Sequence, residues 1–241
     1  MQSKPTMEVH HHPKVEKKNF KEYFLEFLMI FLAVTLGFFA ENIRESFGDR
    51  RQEKEYIHSL CENIKSDTLQ SGQVLLKLKK TLTGIDSVID AISSPGIIQN
   101  SNNAYRLWSK YIGFADFIYN DGTMQQLKNS GGLRLIRNKA VADSILKYDA
   151  VVRDFYGQSA LMNGALADQH IYEQFFDFIN LQKNINTPVP LTEQGKKLLN
   201  EAYANRKIWK YGLSILAKQL KDVHEQGKST LAFIKQEYGD E

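Results

Sequence analysis

Between Phe20 and Arg44, lysines give way to a run rich in Phe and Leu and then to charges again, and this stretch constrains the chain more than any other. From Tyr23 to Ala40 the only ionisable side chain that can carry charge at neutral pH is Glu26. Eighteen residues at a helical rise of about 1.5 Å cover roughly 27 Å, close to the hydrocarbon thickness of a bilayer. The stretch therefore reads as one transmembrane helix. No second long apolar run follows Ala40, so the expected topology is single-pass, with the lipid bilayer as first partner.

The remaining chain reads as a water-exposed body, consistent with a mean hydropathy of −0.40 for the whole sequence. Three regions are expected: a polar, disordered tail over 1–19, a transmembrane and juxtamembrane segment over 20–47, and a helical domain over 48–241. The formal charge is +3, and Lys and Arg interleave with Asp and Glu instead of forming a basic block, which argues against nucleic-acid binding. Cys61 is the only cysteine, so an internal disulfide is excluded.

Flanking charge gives an orientation. Lys14, Lys17, Lys18 and Lys21 precede the span, whereas Arg44, Arg50, Arg51 and Lys54 follow it among Glu41, Glu45, Asp49 and Glu53. The N-terminal lysines lie closer to the apolar run, which favours an uncleaved signal anchor with its N-terminus inside and its body outside. The segment Phe38-Phe39-Ala40-Glu41 lacks a small-x-small cleavage pattern.

Two blocks carry a resemblance. MEVHHHPKVEKKNFKEYFLEFLMIFLAVTLGFFAENIRE, from Met7 to Glu45, is similar to the N-terminal signature of an uncharacterised family of small membrane-anchored proteins widespread in Bacteroidota. The block from Thr123 to Ile136, with Gln126-Leu127-Lys128-Asn129-Ser130-Gly131-Gly132-Leu133, resembles that family's internal motif. The resemblance implies a single span, a helical body and no assigned activity, so it transfers no functional residue; with the orientation read from flanking charge, the expected location is a bacterial inner membrane with a periplasmic body.

Within the span, Glu22, Glu26, Ala33, Gly37 and Glu41 fall on one helical face. Ala33-x-x-x-Gly37 is a small-xxx-small pair that lets two helices approach closely, and it predicts a homo-oligomer or pairing with other membrane-protein subunits. Glu26 admits two readings: a carboxylate that snorkels to the headgroups beside Lys18 and Lys21, or a working group in an ion- or proton-coupled complex. His10, His11 and His12 are candidate metal ligands by residue type, but three adjacent imidazoles in an extended tail do not readily face one ion, so no metal or other cofactor is assigned.

Beyond the span the chain is expected to be all-α. Ile57, Cys61, Ile64, Thr68, Ser71, Leu75, Leu78, Leu82, Ile85, Ile89 and Ile92 alternate steps of four and three, predicting a long helix that stops at Ser93-Ser94-Pro95-Gly96. Shorter helices follow over Asn100 to Ile112 and Thr123 to Asn129, with Gly131 and Gly132 as terminators. Asn138 is placed to cap a helix with the seam Val141, Ile145, Tyr148, Val152, Phe155, Ser159, Met162 and Leu166, continuing to Leu181. After Pro188 and Pro190 a short helix from Thr192 to Ala204 precedes a last helix from Asn205, whose seam is Trp209, Leu213, Leu216, Leu220, Val223, Gly227, Thr230 and Ile234. The economical architecture is an antiparallel, four-helix-bundle-like domain, with the Asn100 region on the fourth side.

No nucleophile elbow, phosphate loop or dinucleotide fingerprint occurs. A di-metal carboxylate site would need two Glu-x-x-His motifs, and only Glu55 with His58 supplies one, since Ala167 precedes His170 and Lys221 precedes His224. His58 and Cys61 share a helix face, but Cys61 falls in the heptad seam and reads as core. The expectation is a non-catalytic, membrane-anchored scaffold, accessory or partner-binding subunit; the alternative is a subunit of an ion- or proton-coupled complex using Glu26.

Overall fold

The computed structural model describes residues 19–166, 169–183 and 186–239, with side chains described outside 163–170. The chain divides into two compact units, Met1–Arg51 and Gln52–Glu241. Eight α-helices and one 3-10 turn are present among the described residues, and no strand. They are α1 (Phe20–Ile92), α2 (Asn102–Lys110), α3 (Gly122–Asn129), the 3-10 turn Gly132–Leu135, α4 (Lys139–Leu166), α5 (Gln169–Phe175), α6 (Phe178–Lys183), α7 (Glu193–Lys197) and α8 (Leu199–Tyr238).

In the first unit, the Asn19 amide at the start of α1 donates to the Glu22 carboxylate at 3.1 Å, satisfying a donor that the helix leaves open. Gly48 does not interrupt it.

In the second unit three long helices form the body. Thr68 and Ser71 of α1 meet His224 of α8, and Asp86 meets Lys210, so these helices run antiparallel. Ser144 meets Thr230, and Asn138 meets Glu237, so α4 is antiparallel to α8 as well. Consequently α1 and α4 run parallel, which corrects the expectation of an all-antiparallel four-helix body. The remaining side is covered by α2, α3 and an extended segment over 113–121, from which Phe117 enters the core.

The α8 seam is buried at every expected position from Trp209 to Ile234. In α4, Val141 through Ser159 are buried as expected, while Met162 is half-buried. The α1 seam differs by register. Ile57, Ile64, Ser71, Leu78, Ile85, Ile89 and Ile92 are buried as expected, but Leu60, Asp67, Val74 and Val88 are buried too, and Cys61, Thr68, Leu75 and Leu82 are only half-buried. Both flanks of a seven-residue stripe satisfy the same spacing rule, and the neighbouring helices decide which flank turns inward.

Two boundaries also move. The helix expected to reach Leu181 is broken at Phe176-Asp177, where the Asp177 carboxylate accepts from the Asn180 amide at 3.1 Å and starts α6. The last helix begins at Leu199, because Thr192 caps only the short α7 through the Gly195 amide at 2.7 Å.

A second core cluster occupies the other end of the body. Trp108 packs its ring against Tyr172, Phe175 and Phe176. The segment around Val189 adds a short backbone pairing: the Ser101 amide donates to the Val189 carbonyl at 2.8 Å and the Leu191 amide to the Ile98 carbonyl at 3.0 Å. Pro188 and Pro190 have no amide proton, so the pairing uses only the alternate residues, Val189 and Leu191, which are buried.

Candidate functional site

The residues expected to form a packing face lie on α1 in the first unit. Glu26 is half-buried, and Ala33 and Gly37 are exposed. A Cβ at Gly37 would meet nothing within 4 Å, so the close-approach surface is open. Glu41 forms an ion pair with Arg44 on its own helix, with the Arg44 Nε donating at 2.9 Å. Around this face eleven large apolar side chains between Phe24 and Phe39 are each 47–69 % exposed. This helix is long and apolar enough to cross a membrane, with none of its apolar window buried. His10, His11 and His12 lie outside the described residues.

The body holds a polar network that no motif announced. Asp67 of α1 is buried and accepts from two donors, the Tyr148 hydroxyl at 2.9 Å and the Asn120 amide at 3.0 Å. Burial raises the Asp67 carboxyl above the usual range despite those two bonds, which favour its ionised form. The Tyr148 phenol is raised strongly, first by burial and then by the charge of Asp67.

Beside it, buried Asp149 accepts from the Arg153 Nε at 2.9 Å, from the Tyr119 hydroxyl at 3.0 Å and from the Lys128 ammonium. Burial alone would raise this carboxyl, but the three donors outweigh it and hold Asp149 below the usual range. Tyr119 is raised by burial and by its bond to Asp149.

This network fastens the extended segment. The Ile118 amide donates to Gln70 at 2.6 Å, and the Tyr119 amide donates to the Tyr156 hydroxyl at 2.8 Å. That hydroxyl in turn donates to the Phe117 carbonyl at 2.7 Å. An extended backbone with no strand partner would leave its amides and carbonyls unsatisfied, and side chains from α1 and α4 supply the missing partners. A cavity of about 400 Å³ opens beside it, lined by Tyr119, Asp121, Arg153 and Tyr156. Each lining side chain already has a partner, Tyr119 and Arg153 on Asp149, Tyr156 on the backbone of Phe117 and Tyr119, and Asp121 on Gln125, so the arrangement acts as a clamp.

A second clamp sits two heptads earlier, at the start of α1's buried stretch. Buried Glu53 accepts from the Arg137 amide and the Tyr238 hydroxyl, both at 2.7 Å. Burial and that bond push the Tyr238 phenol up to about 12. Sequence periodicity does contain the signal for both carboxylates: Glu53, Leu60, Asp67 and Val74 are seven residues apart. Their polarity masked it.

Glu55 and His58 are exposed, in keeping with a solvated face. Cys61 is half-buried, and burial, aided by the charge of Glu62, raises its thiol, which disfavours the reactive thiolate. Among the described residues no group of three or more His, Cys, Asp or Glu side chains is placed to hold a metal ion. Comparison with protein-family models, with curated proteins and with solved structures finds no match to this chain.

Proposed function

We propose that this chain is a membrane-anchored, non-catalytic helical module: α1 crosses a bacterial inner membrane and the domain beyond it serves as a scaffold or accessory subunit. The observation that carries this reading is the run of eleven exposed large apolar side chains between Phe24 and Phe39. Sequestering such a side chain from water is worth about 1.5–3 kcal/mol, and monomeric soluble proteins do not leave a contiguous band of this kind uncovered. Lipid covers it fully and at the right length. The Ala33 and Gly37 face then provides the contact for self-association, since lipid offers no hydrophobic drive and close backbone approach must supply the attraction. The engaged state of the buried carboxylates favours a structural role for the body.

Alkaline carbonate extraction of membranes tests the anchor. The full chain should remain in the membrane pellet and a chain lacking residues 1–47 should be released. Release of the full chain would end the anchor reading. A C-terminal alkaline phosphatase fusion tests orientation, and activity in intact cells is the expected result.

A further inference from the structure

A groove of about 550 Å³ runs between α1 and the end of α2 in the second unit, lined by Leu76, Lys79, Lys80, Thr83, Gly84, Ser87, Lys110 and Tyr111. Its floor is made by a close approach. A Cβ at Gly84 would lie 2.3 Å from the Tyr111 ring, so the absence of a side chain at that position lets the ring rest directly on the α1 backbone. The Lys110 ammonium sits 5.2 Å from the centre of the same ring. Leu76 stands exposed at the other side.

The charges of this groove are one-signed. Lys79, Lys80 and Lys110 form no ion pair among the described residues, whereas Lys65, Lys128, Lys196 and Lys210 each pair with a carboxylate. No carboxylate is among the lining residues. Three lysines lining one concavity bring like charges together, and their mutual repulsion raises the free energy of the empty groove. An anion there relieves the repulsion. The ring of Tyr111 and the side chain of Leu76 give that anion's remaining atoms an apolar surface to cover.

We propose that the groove binds a small water-soluble organic anion, a phosphate or carboxylate head held by Lys79, Lys80 and Lys110 with an aromatic or short aliphatic body against Tyr111 and Leu76. This assigns a ligand class that the anchor reading does not require, and the two stand or fall separately.

The test is titration calorimetry on the full chain in nanodiscs of purely zwitterionic lipid, with empty discs as the blank. The probes are phenyl phosphate, phenol as its neutral counterpart, and inorganic phosphate. Phenyl phosphate should saturate with a Kd below about 1 mM, and phenol and inorganic phosphate should each bind about tenfold or more weakly. The triple variant Lys79→Gln, Lys80→Gln, Lys110→Gln should weaken phenyl phosphate by about tenfold or more, while Lys139→Gln, Lys147→Gln, Lys228→Gln should leave it unchanged. Raising the salt concentration should weaken binding to the unmodified protein, a readout that needs no variant to fold. Absence of saturable binding, equal affinity in the two triple variants, or binding insensitive to salt would each overturn the proposal.

Discussion

Tyr148 of α4 donates its hydroxyl to the Asp67 carboxylate of α1 across 2.9 Å, joining two parallel helices through a bond that is buried on both sides. Removing the hydroxyl leaves a buried carboxylate with one donor fewer, and the loss exceeds that of an ordinary surface hydrogen bond. Tyr148→Phe is expected to destabilise the protein by about 1–3 kcal/mol, read by denaturant unfolding monitored by circular dichroism. A variant as stable as the unmodified protein would refute the importance of this bond.

The two buried aspartates respond to acid in opposite directions. Asp149 is held below its usual range, so its contribution is present above the unfolded value and is lost as pH falls through the folded one. Asp67 is raised, so the folded protein takes up its proton first and gains relative stability as pH falls toward the unfolded value. Stability measured from pH 7 down to about pH 3 should therefore fall more steeply in Asp67→Asn and more gently in Asp149→Asn. The same slope in both variants would contradict the assignment.

Alkaline titration loads both clamps, because Tyr119 and Tyr148 are raised as well, and a substitution at Tyr238 singles out the one at Glu53. Burial and the bond to Glu53 move the midpoint of Tyr238 deprotonation in the folded protein up to about 12, whereas an unfolded tyrosine titrates near pH 10. Its contribution is complete below the unfolded value and disappears as pH rises from there through the folded one. Tyr238→Phe should flatten the loss of stability measured across that window, and an unchanged slope would count against the Glu53 contact.

Arg206 is buried between two indoles, its guanidinium 4.5 Å from the Trp108 ring and 5.4 Å from the Trp209 ring, and its side-chain bonds go to Asn205. Burial lowers its pKa to about 10, which marks the charge as an expense at neutral pH. Arg206→Met keeps the packing volume and removes the charge, so it should leave thermal stability unchanged or raise it. Arg206→Ala removes the packing as well and should cost about 2–3 kcal/mol. Equal losses in the two variants would show that the charge itself stabilises the site.

Gly195 tests a contact that cannot yield. A Cβ there would lie 2.3 Å from the Phe175 carbonyl oxygen, a backbone atom of α5. Gly195→Ala should cost about 1–3 kcal/mol in the same unfolding measurement. A neutral result would mean that α5 and α7 are spaced more loosely.

Much of this architecture was legible because α8 and α4 carry their apolar residues on one unambiguous stripe, with Trp209 to Ile234 and Val141 to Phe155 turned inward as spacing requires. In α1 the spacing allowed two stripes. The choice between Cys61 and Leu60, or Thr68 and Asp67, was made by partners distant in sequence: Tyr148 and the Asn120 amide reach Asp67 from 81 and 53 residues away. Hence the polar clamps stayed hidden, because a carboxylate reads as solvent-facing until its donors are known. The only local signal of the break at Asp177 is a capping residue inside an aromatic run whose apolar character favours one continuous helix. The α1 packing face was read from spacing alone, and its helical geometry follows from the fold.

The extended segment over 113–121 carries one more consequence. Ile118, Tyr119 and Asn120 hand their amide protons to Gln70, Tyr156 and Asp67, three side chains from two helices. A strand in a sheet exchanges its protons when a cooperative row unzips, whereas each of these three is released by the swing of one side chain. The stretch is laced to the body by knots, two of which tie a second cord as well, since the Tyr156 hydroxyl also holds the Phe117 carbonyl and Asp67 also holds Tyr148, so untying either one slackens its neighbour.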